Sequence, residues 1–155
     1  MPDLSDLLRP DAVLIGVAAA SKKALFAQLA AALAAQTGGD AKEIAERLAA
    51  REKLGSTGFG GGVAIPHAKV DGIAQVTGVF ACLAKPLEFG AVDGAPVDLV
   101  WALLSPTNAG AEHLKALARV SRRLRDRAFL DKLRGAGSRD ALYALFKEDR
   151  ARDAA

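Results

Sequence analysis

The sequence predicts an α/β domain, a mixed β-sheet flanked by helices on both faces. Three observations carry this. Short apolar runs rich in β-branched residues, "AVLIGV", "QVTGVFACLA" and "VDLVWALL", fall early and in the middle of the chain. Amphipathic stripes of helical period lie between and after them. The order is strand, two helices, several strands, then helices, which supplies helices to both sheet faces. The 155 residues fit one compact domain, 1–155, and no linker, low-complexity tract or repeat divides them.

The elements follow in order. "DLSDLL" is read as a short helical turn and "AVLIGV" as the first strand. Ser21 is placed to cap a helix whose stripe is Leu25, Phe26, Leu29 and Leu33, and Gly38 and Gly39 end it. Asp40 caps a second helix, with Glu43 three residues on as in a capping box, and Ile44 and Leu48 form its buried face. "GVAIPH" is a short strand and "QVTGVFACLA" a longer, partly alternating one. Asp93-Gly94 marks a tight turn before "VDLVWALL", whose unbroken apolarity suits a strand covered on both faces. Thr107 or Asn108, Asp126 and Ser138 are placed to cap three closing helices. The polar tail "EDRARDAA" is expected to fray.

Composition narrows the function. Cys82 is the single cysteine, so neither an intrachain disulfide nor a cysteine-rich zinc site can form. The polar, acidic start and the shortness of "AVLIGVAAA" point to a cytoplasmic chain without membrane insertion. A net charge of +3 does not by itself indicate nucleic acid. The run around Arg122, Arg123, Arg125 and Arg127 lacks interleaved aromatics and reads as a solvated face, able at most to orient a partner.

Three side chains stand out. His67 ends "GVAIPH", just after the glycine-rich "GSTGFGGG". Arg51 follows Ile44 by seven residues and Leu48 by three, near the apolar stripe of its helix. It suits either a cation at a helix C-terminus or an anion-binding group at a site edge. His113 leads the series Leu117, Val120, Leu124 in the first turn of a helix, either packed against the core or facing a bound anion. The glycine stretch is either a connector or a cradle of backbone N–H groups, with the Ser56 and Thr57 hydroxyls beside it. It matches neither a P-loop nor a dinucleotide fingerprint, and no cofactor is expected. Two histidines without a placed carboxylate make no convincing metal site. A neutral histidine can, however, attack phosphorus and carry a phosphoryl group. Such transfer needs positioning and charge stabilisation above all.

"REKLGSTGFGGGVAIPHAK" resembles the active-site signature of the IIA domains of the bacterial phosphoenolpyruvate-dependent phosphotransferase system, fructose/mannitol type, nitrogen-regulatory branch. "PVDLVWALLSP", "EHLKALARVSRRL" and "FLDKLR" resemble later segments, so the likeness runs from about Leu4 to Phe146. Ala68 departs from it, since many relatives carry glycine after the histidine. The resemblance implies a mixed sheet between helix layers. It implies that His67 is phosphorylated at Nε2, flanked by Arg51 and His113, with Ser56 and Thr57 in the phosphoryl-binding loop. It implies a histidine phosphocarrier, HPr or its nitrogen-branch counterpart, as donor. The free single domain favours a regulatory phosphoprotein acting on target proteins. A sugar-specific IIA component that passes the group to a IIB domain is the alternative.

Overall fold

The computed structural model describes residues 4–147. The expectation of a frayed tail at 148–155 lies outside the described residues. A turn at residues 5–7 and a 3-10 turn at Pro10–Ala12 lead into strand β1, Val13–Val17. Helices α1, Lys22–Thr37, and α2, Ala41–Lys53, follow. Strands β2 (Gly58–Gly60), β3 (Val63–Ala64), β4 (His67–Val70), β5 (Thr77–Leu87) and β6 (Val97–Pro106) come next. Helices α3 (Ala111–Leu124), α4 (Arg127–Gly135) and α5 (Arg139–Lys147) complete the chain. No helix among the described residues is long and apolar enough to cross a membrane.

The sheet is mixed, as expected, in the order β1-β5-β6-β3-β2, with β4 also paired to β6. β6 is the organising strand. It runs antiparallel to β5 on one side and parallel to β3 and then β4 on the other. Of its ten residues only Asp98 is not buried, which accounts for the continuous apolar run. Phe80 and Trp101 are paired across β5 and β6 and share a face by strand alternation. Phe146 of α5 packs on both, at ring distances of 4.7 and 5.3 Å, and on Phe129 of α4 at 5.4 Å. α1 lies against β5 and α2 against β4. Leu25, Leu29, Leu33, Ile44 and Leu48 are all buried, as the two stripes require.

The caps explain where most helices begin. Ser21 Oγ accepts from Ala24 N–H, Asp40 Oδ1 from Lys42 and Glu43 N–H, Asp126 Oδ1 from Ala128 and Phe129 N–H, and Ser138 Oγ from Ala141 N–H. Gly38 ends α1 in the left-handed conformation, φ 78°. α3 is the exception to the expected caps. Its N-cap is Gly110, which offers no side-chain oxygen, and the Thr107 hydroxyl donates instead to Asp71. The glycine stretch also departs from a plain connector. Gly58–Gly60 pairs antiparallel with Val63–Ala64 across a Gly61-Gly62 turn, and both turn residues have positive φ. "GVAIPH" is two strands, because residues 65–66 interrupt the ladder between β3 and β4.

The arginine run is not uniformly solvated. Arg123 is buried, with its guanidinium carbon 3.8 Å from the Phe129 ring centroid, and Arg125 lies over Phe59 at 4.9 Å. Ala68 is buried and paired with Leu104, and among the described residues none other than glycine has positive φ, so alanine is accommodated there without strain.

Phe146 joins the two closing helices to the sheet. Phe146→Ala should lower the unfolding free energy by about 3–5 kcal/mol, the usual cost of emptying an aromatic core position. Chemical denaturation checks this, and a loss below about 1 kcal/mol would show that the cluster does not anchor α5.

Candidate functional site

Pro66 lies where β3 gives way to β4, at a place where the chain follows β6 without a full ladder. It has no N–H to donate and restricts the preceding residue to extended backbone. Its carbonyl still accepts from Leu103 N–H at 2.9 Å, so the segment stays fastened to the central strand. His67 follows, opposite Leu103, with its ring partly buried.

His67 Nδ1 is 2.8 Å from the Ile65 carbonyl oxygen. A carbonyl can only accept, so the proton of the neutral ring is on Nδ1 and the lone pair is on Nε2. Burial pulls the imidazole below its ordinary titration range, and the Arg51 charge pulls the same way. The Ile65 bond and the Glu52 carboxylate oppose them without reversing the outcome. The ring is therefore neutral near pH 7 and nucleophilic at Nε2.

His113 is the third residue of α3 and is buried. Its ring centroid is 5.6 Å from that of His67. Its Nδ1 is 2.6 Å from the hydroxyl of Ser105, a fully buried residue near the end of β6. Burial lowers its titration range too, helped by His67 and Lys69. The positive N-terminal end of α3 disfavours imidazolium at the same place and favours an anion.

Arg51 lies in the last turn of α2, and its Nη1 donates to the Gly55 carbonyl at 2.8 Å. One Arg51 donor secures the turn after α2, as the helix-end reading has it, and its charge acts on His67. Sequence-expected His67, His113 and Arg51 are brought together.

Ser56 and Thr57 are near the site, but their hydroxyl protons are engaged. Ser56 Oγ donates to the Phe89 carbonyl and accepts from Gly58 N–H, both at 3.1 Å. Thr57 Oγ1 donates to Glu52 Oε1 at 2.6 Å. Two of the backbone N–H groups of the glycine stretch are also used within the fold: Gly58 binds Ser56, and Gly61 binds Asp93 Oδ2 at 3.1 Å. The hairpin is closed on itself more than a free cradle would be.

Two residues of the site were not singled out in the sequence. Glu52 continues the buried series Ile44, Leu48 at the same four-residue step, and a carboxylate in that phase was a legible signal. Ser105 is hidden as the one hydroxyl in the apolar run of β6, and only its pairing with His113 reveals it.

The chain is similar to known proteins over nearly its whole length. The family described as "Phosphoenolpyruvate-dependent sugar phosphotransferase system, EIIA 2" matches residues 6–149. A nitrogen regulatory protein of Bradyrhizobium diazoefficiens is 46% identical over 142 residues, 92% of this chain and 93% of that protein. One from Pseudomonas aeruginosa is 44% identical over 144 residues, 92% and 93% of the two chains. The crystal structure of nitrogen regulatory protein IIA-Ntr from Neisseria meningitidis superposes with a TM-score of 0.87 at 35% identity, covering 92% of this chain and 98% of that one. With a match over nearly its whole length and the same fold as such a relative, the chain belongs to the EIIA type 2 family of the phosphoenolpyruvate-dependent sugar phosphotransferase system.

Proposed function

We propose that the protein is a phosphoryl-accepting regulatory IIA protein of the nitrogen branch, modified at Nε2 of His67 by a histidine phosphocarrier, HPr or its nitrogen-branch counterpart. The observation that carries this is the Nδ1–Ile65 bond, which reserves the lone pair of Nε2 in a half-buried ring beside a second imidazole. In the transfer, Nε2 forms a bond to phosphorus as the carrier's own N–P bond breaks. The electron pair of the broken bond stays on the carrier ring, and the Nδ1 proton of His67 stays on Nδ1, donated to the Ile65 carbonyl. Arg51 and the first turn of α3 with His113 are the donors for the charge on the transferring group. Ser56 and Thr57 join them only by exchanging their present acceptors, Phe89 and Glu52. The nitrogen regulatory names of the relatives favour signalling through the phosphorylation state over delivery to a sugar system.

The phosphoryl group itself carries roughly 1.5–2 negative charges and three acceptor oxygens at one spot. Arginine and a helix N-terminus already surround that spot, so the output is altered docking of target proteins, not refolding. A coupling of about 1–3 kcal/mol suffices for regulation.

Incubation with phosphoenolpyruvate, enzyme I and phosphocarrier, read by intact mass, is the direct test. The protein should gain one phosphoryl group and His67→Ala none; substantial labelling of that variant would refute the assignment. Removing the Arg51 guanidinium should slow single-turnover transfer ~10²–10³-fold, as loss of a donor to developing charge does. His113→Ala should slow it while leaving His67 modifiable. Unchanged rates in both variants would return these residues to packing roles. Transfer onward to a IIB domain at comparable rate would favour the sugar-specific alternative. On phosphorylation, amide shifts should concentrate at residues 51–69 and 113; wide shifts across β1 and α5 would argue against a local switch.

Both imidazoles resist protonation in the folded chain. As pH falls through ~6.5, the unfolded chain binds protons that the native pair refuses. Stability should therefore decline from that point and level off only below the depressed native pKa values. In denaturation curves followed across this window, the double variant His67→Gln with His113→Gln should lose that part of the decline.

A further inference from the structure

Glu52 is a carboxylate in an expensive position. It is 9% exposed, and it lies in the last turn of α2, where the negative end of the helix repels an anion. Local rules broken in this way persist where function uses them. Thr57 donates to it twice, from Oγ1 at 2.6 Å and from its backbone N–H at 3.1 Å, and Lys22 Nζ is 2.9 Å from Oε2. Burial pushes the carboxyl up, but the bonds from Thr57 and Lys22 outweigh it, so the group is ionised.

The network continues to the imidazole. The Thr57 carbonyl accepts from Ile65 N–H at 3.1 Å, and the Ile65 carbonyl accepts from His67 Nδ1–H. One line of hydrogen bonds thus runs Lys22, Glu52, Thr57, Ile65, His67, crossing from α1 through α2 and the glycine hairpin to β4. Ile65 is held at its N–H by Thr57 and, on the other side of its Cα, presents its carbonyl oxygen to the ring.

We propose that Glu52 is a positioning residue: by holding Thr57, and through it the Ile65 backbone, its carboxylate fixes the proton on Nδ1 of His67, and its charge offsets the positive ring created when Nε2 takes a phosphoryl group. This rests on the phosphoryl-accepting role of His67. When Nε2 bonds to phosphorus while Nδ1 keeps its proton, the ring becomes formally cationic. The groups around it are Arg51 on α2 and His113 on α3, with Lys69 of β4 acting on His113 and Lys22 of α1 behind the carboxylate. Among the described residues, Glu52 is the negative group that acts on the His67 ring, and it opposes the positive charge already there.

Long-range proton–nitrogen NMR of the full chain labelled on its imidazoles tests this without any phosphocarrier. The wild type should show the Nδ1–H tautomer at neutral pH. Glu52→Gln should mix the tautomers and move the His67 titration to lower pH, since a negative neighbour is lost. Lys22→Gln should move it to higher pH, since the carboxylate loses its counter-charge. A merely structural role does not produce opposite signs. Single-turnover transfer should fall about 10–100-fold in Glu52→Gln, the loss seen when orienting partners of metal-bound histidines are removed. Its acid limb, set by protonation of Nε2, should follow the titration. A folded Glu52→Gln with wild-type tautomer and titration overturns the proposal even if its rate falls. If that variant does not fold, Thr57→Val should mix the tautomers with the carboxylate intact. A Thr57→Val protein that keeps the wild-type tautomer, or a Lys22→Gln protein without the upward shift, then overturns the proposal. A wild-type chain that accepts no phosphoryl group would sink the function proposed above, while the NMR arm would still judge the network.

Discussion

Proline has no hydrogen to give a neighbouring strand, and the geometry around His67 follows from that deficiency. At Pro66 the ladder along β6 lapses between β3 and β4. On the side turned away from β6, the Ile65 carbonyl accepts from the imidazole two residues on. The interruption is affordable because Pro66 O and the residues after it remain bonded to β6, which is buried at every residue but Asp98.

Charge is distributed around this point with one tendency. Burial, Arg51, Lys69 and the start of α3 all oppose a protonated imidazole, so the pair of rings is neutral and its surroundings are prepared for an anion. The Lys22–Glu52 pair is set one layer away, with the carboxylate nearly buried and the ammonium a third exposed. The site is therefore basic at its surface and carries one anion beneath.

Much of this was legible in the sequence, and the limits are physical. Helix starts at Ser21, Asp40, Asp126 and Ser138 were readable because a side-chain cap is a local bond within four residues. The start of α3 was not, because Gly110 caps by backbone conformation alone and the Thr107 hydroxyl is drawn to Asp71, far away in sequence. The β2–β3 hairpin was missed since glycines give no alternation to read. His67, His113 and Arg51 stood out by type and phase. The engagement of Thr57 by Glu52, of Ser56 by Phe89 and of His113 by Ser105 depends on which elements meet, which no local pattern states.

The Ser105 hydroxyl gives His113 a freedom that His67 lacks. A carbonyl fixes the ring opposite it, but a hydroxyl can rotate to donate or to accept. Ser105 is fully buried and 2.6 Å from Nδ1, so it can satisfy either tautomer of His113 without moving a heavy atom. With Nδ1–H donating to Ser105, the other nitrogen of His113, Nε2, shows a lone pair. Once an anion stands opposite, a hydroxyl rotation and a proton exchange let the same atom show N–H. One imidazole in this pair is held to a single protonation pattern and the other is adaptable, and the difference lies in a carbonyl set against a serine.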